Sequence, residues 1–263
     1  MSLSVRDLTF AYRKTPVLND VSFDAAAGEL LAILGANGVG KTTLFRCILG
    51  EQKRYTGSIA VDGADVRTLS ARETAHRIAY IPQTHAMTFR FFVRDMVLMG
   101  TSHTLSPLGL PGKAQERIAA EALDRLGIAG LADRGFDTLS GGEQQLVYIA
   151  RALAQQAKIL LMDEPTSSLD YGNQLRVLST VSDLVRDGYT VLLSTHNPQH
   201  ALWYADRVLA LSDGSVAAFG GTEETLTTEL LKTLYGTSVN LFETPAGSVI
   251  LPVSNNTTGV KAK

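Results

Sequence analysis

The sequence lacks several features that would place it in a specialised class of protein. It has a single cysteine, Cys47, which excludes a disulfide framework within the chain and fits a reducing compartment. Because Cys47 lies in an apolar helical pattern (TTLFRCILG), we interpret it as a buried core thiol and not as a nucleophile. The net charge is only −2 and there is no run of basic residues, so the charge does not favour nucleic acid as a partner.

Long apolar runs are also missing. The runs LLAIL at 30–34 and ILLM at 159–162 have the length of strands, and FFVRDMVLM at 91–99 is interrupted by Arg94 and Asp95. Crossing a bilayer takes about 20 apolar residues. The first residues show no basic region followed by an apolar stretch, so we expect no export signal. We therefore expect a soluble chain whose membrane role, if it has one, comes through partners.

The patterns that are present predict an α/β protein. Alternating residues at 1–30 indicate strands and a hairpin, and buried strands are expected at 30–34, in KILLMDEP and in TVLLSTHNP. HRIAYIPQ is interpreted as a short strand, and RVLALSDGSVAAFG as a hairpin. Helical spacing dominates between 84 and 157 and returns in YGNQLRVLSTVSDLVRDG and in TEETLTTELLKTLYG. We predict parallel strands covered on both faces, with a helical insert in one nucleotide-binding core.

The expected domain organisation follows from these patterns. The core consists of residues 1–83 and 158–222, the helical insert of residues 84–157, and a C-terminal helix and tail of residues 223–263. Core and insert together form one domain that extends to about residue 240. The polar end, VSNNTTGVKAK, is expected to fray.

The stretch GANGVGKTT at 35–43 matches the phosphate-loop pattern G-x-x-x-x-G-K-[ST]. It follows an apolar strand and precedes a helix, which is the context that the motif requires. Gly35, Gly38 and Gly40 let backbone N–H groups point at phosphate oxygens. Lys41 is expected to reach the β- and γ-phosphates, and Thr42 to offer its hydroxyl to Mg²⁺. The alternative, a chance match in a glycine-rich turn, is disfavoured by this context, so ATP or GTP binding is predicted.

Three other strand ends carry polar side chains. Asp163 and Glu164 end KILLMDEP, where Asp163 is suited to hold Mg²⁺ and Glu164 to activate water as a general base; an exposed strand end is the alternative. His196 ends a strand expected next to that of Asp163, from which it could contact the γ-phosphate. Gln83 ends AYIPQ, where an amide can bind Mg²⁺ or orient water. The remaining histidines are interpreted as structural: His76, His85, His103 and His200.

A second phosphate-binding pattern lies a hundred residues after the first. LSGGEQQL at 139–146 places a serine and two glycines ahead of a helix, which is how a chain builds an anion-binding helix N-terminus. Together these motifs resemble those of the ATP-binding cassette (ABC) ATPases. GANGVGKT resembles the Walker A motif of that family, Gln83 its Q-loop, LSGGE its signature, ILLMDE its Walker B motif, SSLD its D-loop and His196 its switch histidine. The order of the six motifs also matches, and the resemblance covers residues 3–240.

The resemblance implies an ATPase that uses ATP and Mg²⁺ and acts as a head-to-tail homodimer. Ser140 and Gly142 of one subunit would contact the γ-phosphate held by the Walker A motif of the other, and Tyr12 would stack on adenine. An edge-strand tyrosine is the alternative for Tyr12. ATP would close the dimer and its hydrolysis would reopen it. The expected nucleotide contacts are therefore Tyr12, Gly35, Asn37, Gly38, Gly40, Lys41, Thr42, Thr43, Ser140, Gly141, Gly142 and Asp170; the expected Mg²⁺ ligands are Thr42, Gln83 and Asp163; and the expected catalytic residues are Glu164, His196 and Gln83.

Within this family the chain resembles cassettes of the type II importers. VRDMVLMG, SSLDYGNQ and STHNPQHAL are similar to cassettes that drive import of iron–siderophore complexes, haem, cobalamin or molybdate. The implied partners are an integral membrane permease and, indirectly, an external binding protein, with the chain held at the cytoplasmic face of the membrane. Phe89, Phe91 and Phe92 either contact a permease helix or pack the helical insert. The alternatives are an ATPase of another ABC transporter class, a soluble ABC ATPase that acts on nucleic acid or ribosomes, and a nucleotide-binding scaffold without turnover.

Overall fold

The computed structural model describes residues 1–83, 90–106, 108–245 and 247–253. Phe89, His85 and the expected frayed end from residue 254 onward lie outside these ranges. The strands are β1 Leu3–Tyr12, β2 Thr15–Ala25, β3 Leu30–Leu34, β4 Thr56–Val61, β5 Ala64–Asp65, β6 Ile78–Ile81, β7 Ile159–Asp163, β8 Thr190–Thr195, β9 Arg207–Ser212, β10 Ser215–Gly221, β11 Val239–Thr244 and β12 Gly247–Pro252.

Except for the helix that follows Phe92, the helices in the described ranges are preceded by a polar residue or a glycine, as expected of helix N-termini. They are α1 Lys41–Ile48, α2 Ala71–Arg77, α3 Val93–Leu98, α4 Lys113–Arg125, α5 Gly141–Ala154, α6 Tyr171–Arg186, α7 Pro198–Tyr204, α8 Thr222–Thr225 and α9 Thr228–Tyr235. Short 3₁₀ turns cover Met99–Thr104, Ala129–Leu131 and Phe136–Thr138. None of the helices in the described ranges is long and apolar enough to cross a membrane.

A six-stranded sheet with the order β10-β9-β3-β8-β7-β6 forms the centre of the fold. Strands β9, β3, β8, β7 and β6 are parallel, and β10 pairs antiparallel with β9. A separate antiparallel sheet has the order β2-β1-β4-β5. This is the mixed α/β architecture that the sequence predicts. Because β8 lies between β3 and β7, the carboxyl ends of these three strands meet at one edge.

The central sheet is buried on both faces, which explains its continuous apolar strands. Along β7, Leu160 and Met162 pack into a cluster with α5 and α6, whereas Ile159 and Leu161 pack on the other side with α1 and the antiparallel sheet. Cys47 lies in this second cluster with no exposed surface, and burial raises the pKa of its thiol to about 12. The interpretation of Cys47 as a core thiol is confirmed.

Two segments differ from the sequence interpretation near the middle and the end of the core. The strand expected in HRIAYIPQ starts only at Ile78, because the preceding residues form α2. Ser70 caps α2: its hydroxyl accepts from the Glu73 N–H at 3.2 Å, and the Glu73 carboxylate accepts from the Ser70 N–H at 2.8 Å. In place of the single helix expected in TEETLTTELLKTLYG, the structure has two helices, α8 and α9. Thr227 caps α9 by accepting from the Leu230 N–H at 3.2 Å.

The C-terminal segment holds more structure than a helix and tail. Strands β11 and β12 form an antiparallel hairpin in which Leu241 pairs with Ile250. Both of these side chains pack against the cluster that contains α7, α9 and Leu34 of β3. The hairpin therefore belongs to the folded core. The boundaries of the helical insert at 84 and 157 remain predictions.

Candidate active site

The predicted phosphate loop joins β3 to α1. Gly40 directly precedes α1 with a φ of 111°, and a Cβ at this position would lie 2.9 Å from the Leu18 side chain. Both the backbone conformation and the packing therefore require glycine. The turn places the first residue of α1, Lys41, inside the loop.

The Lys41 ammonium group is nearly buried and has three acceptors. Its Nζ lies 2.8 Å from the Gly35 carbonyl, 3.1 Å from the Ala36 carbonyl and 3.1 Å from Oε1 of Glu164. The Lys41 side chain is 5% exposed, so the charge is stable only because these oxygens replace water. A bound phosphate would offer the same kind of oxygen acceptor.

Asp163 is held at the end of β7 by hydroxyl donors from three elements. Thr42 Oγ1 donates to its Oδ2 at 2.7 Å, Tyr80 OH donates to the same oxygen at 3.2 Å, and Ser194 Oγ donates to Oδ1 at 2.6 Å. Burial, together with the charge of Asp163, raises the pKa of Tyr80 far above its ordinary value. Tyr80 therefore remains a neutral donor.

The donor set at this point fits Mg²⁺. Thr42 and Asp163 supply a hydroxyl and a carboxylate oxygen in contact with each other. Mg²⁺ in nucleotide sites is bound through one or two carboxylates and the substrate phosphates, and it keeps several waters. Gln83 lines one cavity together with Thr42, and its Nε2 donates to Ser167 Oγ at 3.2 Å. When bound, Mg²⁺ would neutralise phosphate charge; Thr42 and Asp163 would hold it.

Glu164 lies between Lys41 and His196, two residues that the sequence predicts to belong to the site. Its Oε1 faces Lys41, and its Oε2 lies 3.1 Å from Nδ1 of His196. Its backbone has a φ of 46°, a left-handed conformation rare for a non-glycine residue, and its N–H donates to Ser194 Oγ at 3.0 Å. The strand-end geometry therefore aims this carboxylate at the phosphate loop.

A cavity of about 260 Å³ opens at this edge of the sheet. Its lining residues are Val17, Asn37, Gly38, Gly40, Lys41, Thr42, Thr43, Gln83 and Glu164. Six of the twelve predicted nucleotide contacts, all of them in or next to the phosphate loop, are thus gathered around one opening. Tyr12 does not line it: Tyr12 is 39% exposed, and its ring packs edge-on against Phe10 with centroids 4.8 Å apart.

The signature residues and Asp170 also lie outside this cavity lining. Ser140 caps α5, and its hydroxyl donates to Glu143 Oε2 at 2.8 Å. Asp170 caps α6 by accepting from the Asn173 N–H at 2.9 Å. Within one chain these residues stabilise helix starts.

Sequence reasoning missed Tyr80 and Ser194 as functional residues. Both precede predicted strand-end residues by two or three positions, but their contact with Asp163 depends on the strand order β8-β7-β6. The interpretation of His200 as structural fits its burial: Asn197 Nδ2 lies 3.0 Å from its Nε2, and burial lowers the pKa of His200. Phe91 packs partly buried against the helical cluster, whereas Phe92 is 47% exposed with the Arg94 guanidinium 5.0 Å over its ring.

Comparison with known proteins agrees with this geometry. The family model described as ABC transporter matches residues 18–167. An ABC transporter ATP-binding protein of Haemophilus influenzae is 42% identical over 241 residues, which is 92% of each chain. The hemin import ATP-binding protein HmuV of Nocardia farcinica is 40% identical over 243 residues, covering 91% of this chain and 83% of the relative. HmuV of Bordetella pertussis is 37% identical over 254 residues, covering 93% and 96%.

Solved structures give the same result. An inward-facing metal-chelate type ABC transporter superposes with a TM-score of 0.85 at 34% identity, covering 98% of this chain and 99% of the other. A nucleotide-free ATP-binding cassette superposes with a TM-score of 0.77 at 26% identity, covering 90% and 96%. The chain therefore belongs to the ATP-binding proteins of the ABC transporter family, and it is an ATPase whose hydrolysis of ATP serves transport.

Proposed function

We propose that this ATPase powers the import of a metal chelate, such as haem, an iron–siderophore complex or cobalamin, or of an oxyanion such as molybdate. The observation that carries the proposal is the likeness to a metal-chelate type transporter over 98% of the chain, which includes the C-terminal hairpin. Identities of 37–40% to hemin import ATP-binding proteins support it. The partners would be a membrane permease and an external binding protein, with this chain at the cytoplasmic face.

The proposed hydrolytic roles rest on the contacts around Glu164. Lys41 would bind the β- and γ-phosphates, Thr42 and Asp163 would hold Mg²⁺ with Gln83 nearby, and Tyr12 would stack on adenine. Arrival of the γ-phosphate would give Lys41 a new acceptor and release Glu164, which would then act as general base on water. His196, 3.1 Å from Glu164, would contact the γ-phosphate and hold the carboxylate in place.

A homodimer would complete two such sites. Ser140, Gly141 and Gly142 are absent from the Lys41 cavity, whereas the first turn of α5 has the N–H groups that suit an anion. If each protomer placed this turn against the phosphate loop of the other, both phosphate-binding patterns of the chain would contact nucleotide. Asp170 would lie at the same contact.

A groove beside the helical insert supports permease docking. It has a volume of about 430 Å³, and one wall is Met99–His103 and the other is α2 with the end of α1. Arg151 also lines the groove, and burial lowers its pKa. Its guanidinium lies 5.1 Å from the centre of the Tyr148 ring. Among the described residues, no carboxylate lies within salt-bridge range of it. A permease helix that ends in free carbonyls or a carboxylate would satisfy this cation.

The docking role predicts a separable defect. Arg151→Met keeps an unbranched apolar stem but removes the charged guanidinium, so we expect several-fold less permease to co-purify in detergent while ATP binding is unchanged. Arg117→Met, at an exposed arginine on α4, is the matched control. Equal permease recovery with Arg151→Met would remove this groove from the proposal.

The import role is tested by uptake in a deletion strain. Radiolabelled haem, iron–siderophore, cobalamin and molybdate are supplied separately, and accumulation of one of them should be lost. The wild-type gene should restore it, Glu164→Gln should not, and Glu121→Gln, an exposed glutamate, should restore it as a matched control. Unchanged uptake of all four, with nucleic acid or ribosomes co-purifying, would contradict the proposal.

A further inference from the structure

The two signature glycines differ in their surroundings. Gly141 is exposed, whereas Gly142 is buried. A Cβ on Gly142 would lie 2.3 Å from Oδ1 and 2.5 Å from Cγ of Asn173 in α6. Neither distance is sterically possible, so position 142 requires glycine because of a contact inside the same chain.

The Asn173 side chain cannot turn away cheaply, because Asp170 holds it. The Asn173 backbone N–H donates to Asp170 Oδ1 at 2.9 Å, and the Asn173 side-chain Nδ2 donates to Asp170 Oδ2 at 2.8 Å. These two bonds lower the pKa of Asp170. With the Asn173 amide nitrogen held by Asp170, its oxygen faces Gly142.

A glutamine near the start of α5 and another near the start of α6 each bind the loop that leads into that helix. Gln144 Nε2 donates to the Phe136 carbonyl at 3.1 Å and lies 3.4 Å from that of Leu139. Gln174 Nε2 donates to the Thr166 and Leu169 carbonyls at 3.3 and 2.9 Å. Each loop is therefore fixed to the helix that follows it.

We infer that Asn173 is a positioning residue that joins the signature loop to the loop before α6, so that both reach the second protomer as one surface. The inference rests on the homodimer proposed above. Leu169 adds a second contact, since its Cδ2 lies 3.2 Å from the Cβ position of Gly141. A residue that fixes this surface governs hydrolysis across the dimer, while ATP binding to one chain depends on Lys41.

The test is a double-mutant cycle in the full-length chain, read as kcat for phosphate release and as equilibrium ATP binding. Gly142→Ala should lower kcat at least about tenfold through the clash, with ATP affinity unchanged. Asn173→Gly removes the clashing atoms, and the double variant Gly142→Ala/Asn173→Gly should recover to within about threefold of Asn173→Gly alone. Gly130→Ala, where a Cβ meets no atom within 4 Å, is the matched glycine control.

The dimer itself is checked separately by light scattering of Glu164→Gln with ATP. If that protein remains monomeric, the proposed dimer fails whatever the cycle gives. If it dimerises and the double variant is as impaired as Gly142→Ala, then Gly142 is needed for a contact other than Asn173 and this inference is overturned. A changed ATP affinity in Asn173→Gly would also overturn it, because the residue would then act on the chain's own site.

Discussion

Glu164 is the residue at which the phosphate loop, β7 and β8 meet. Its two carboxylate oxygens face Lys41 and His196 at 3.1 Å each, and its backbone N–H is bonded to Ser194. A buried ammonium group must always have an acceptor. Glu164 is one of the acceptors of Lys41, so the carboxylate proposed as general base and the lysine proposed to bind phosphate restrain each other.

Glu164→Gln is expected to lower hydrolysis at least about 100-fold, the usual contribution of a general base. ATP affinity should be kept or increased, because no carboxylate then competes with phosphate for Lys41. Phosphate release and equilibrium ATP binding measure the two effects, with Glu121→Gln as control. Hydrolysis at the wild-type rate would show that another group activates water.

At the level of elements, the C-terminal hairpin holds the helix that follows His196. The side-chain amide of Gln199 in α7 pairs with β12 as a strand peptide would: it donates to the Ser248 carbonyl at 3.1 Å and accepts from the Ile250 N–H at 2.8 Å. Trp203 Nε1 donates to the same carbonyl at 3.1 Å. The helix after His196 is thus fixed by a segment that lies beyond the six motifs named above.

Gln199→Leu is expected to reduce the free energy of unfolding by about 1–3 kcal/mol, because backbone groups of β12 lose their partner. Urea denaturation measures the loss, and amide exchange at Ile250 localises it. Gln52→Leu is the control, since Gln52 is partly buried and lies outside the helices and strands. Stability and exchange equal to wild type would show that the hairpin does not depend on this pairing.

At the level of the whole molecule, the proposed homodimer would give the second phosphate-binding pattern, LSGGE, a ligand that the chain's own cavity does not offer. The cavity around Lys41 is lined by the predicted phosphate-loop contacts except Gly35 and by none from the signature. The helix α5 has 14 residues and begins with two glycines after the capping Ser140, so its N-terminus suits an anion that another molecule supplies. In the proposed homodimer, the ATP bound to the second copy of the chain would be that anion.

Ser140→Arg is expected to leave ATP binding to the monomer intact and to abolish ATP-induced dimerisation and hydrolysis. The arginine adds bulk at the proposed contact, and it also removes the cap of α5, which costs about 1 kcal/mol. Ser140→Ala removes the cap without the bulk and is therefore the control. Light scattering in a Glu164→Gln background measures closure, and a closed dimer with Ser140→Arg would contradict the head-to-tail arrangement.

Much of the fold could be predicted because its signals are local. The phosphate loop, the Asp163–Glu164 strand end and the helices α4, α5 and α6 follow from the spacing of neighbouring residues. The helix α2 and the hairpin β11–β12 were not predicted. The helix α2 starts at the reciprocal hydrogen bonds between Ser70 and Glu73. The hairpin is held by apolar side chains that pack against α7 and β3, which are distant in the sequence.

The groups proposed to carry the chemistry can be identified in the sequence: a lysine and a threonine in a phosphate loop, a carboxylate pair after a buried strand, and a helix whose capped start suits an anion. Which of these groups touch depends on the fold. Because β8 lies between β3 and β7, Glu164 meets both Lys41 and His196, and Asp163 meets Ser194. The order of strands and the packing of Asn173 on Gly142 arise from burial shared by distant segments, which no short stretch of sequence encodes.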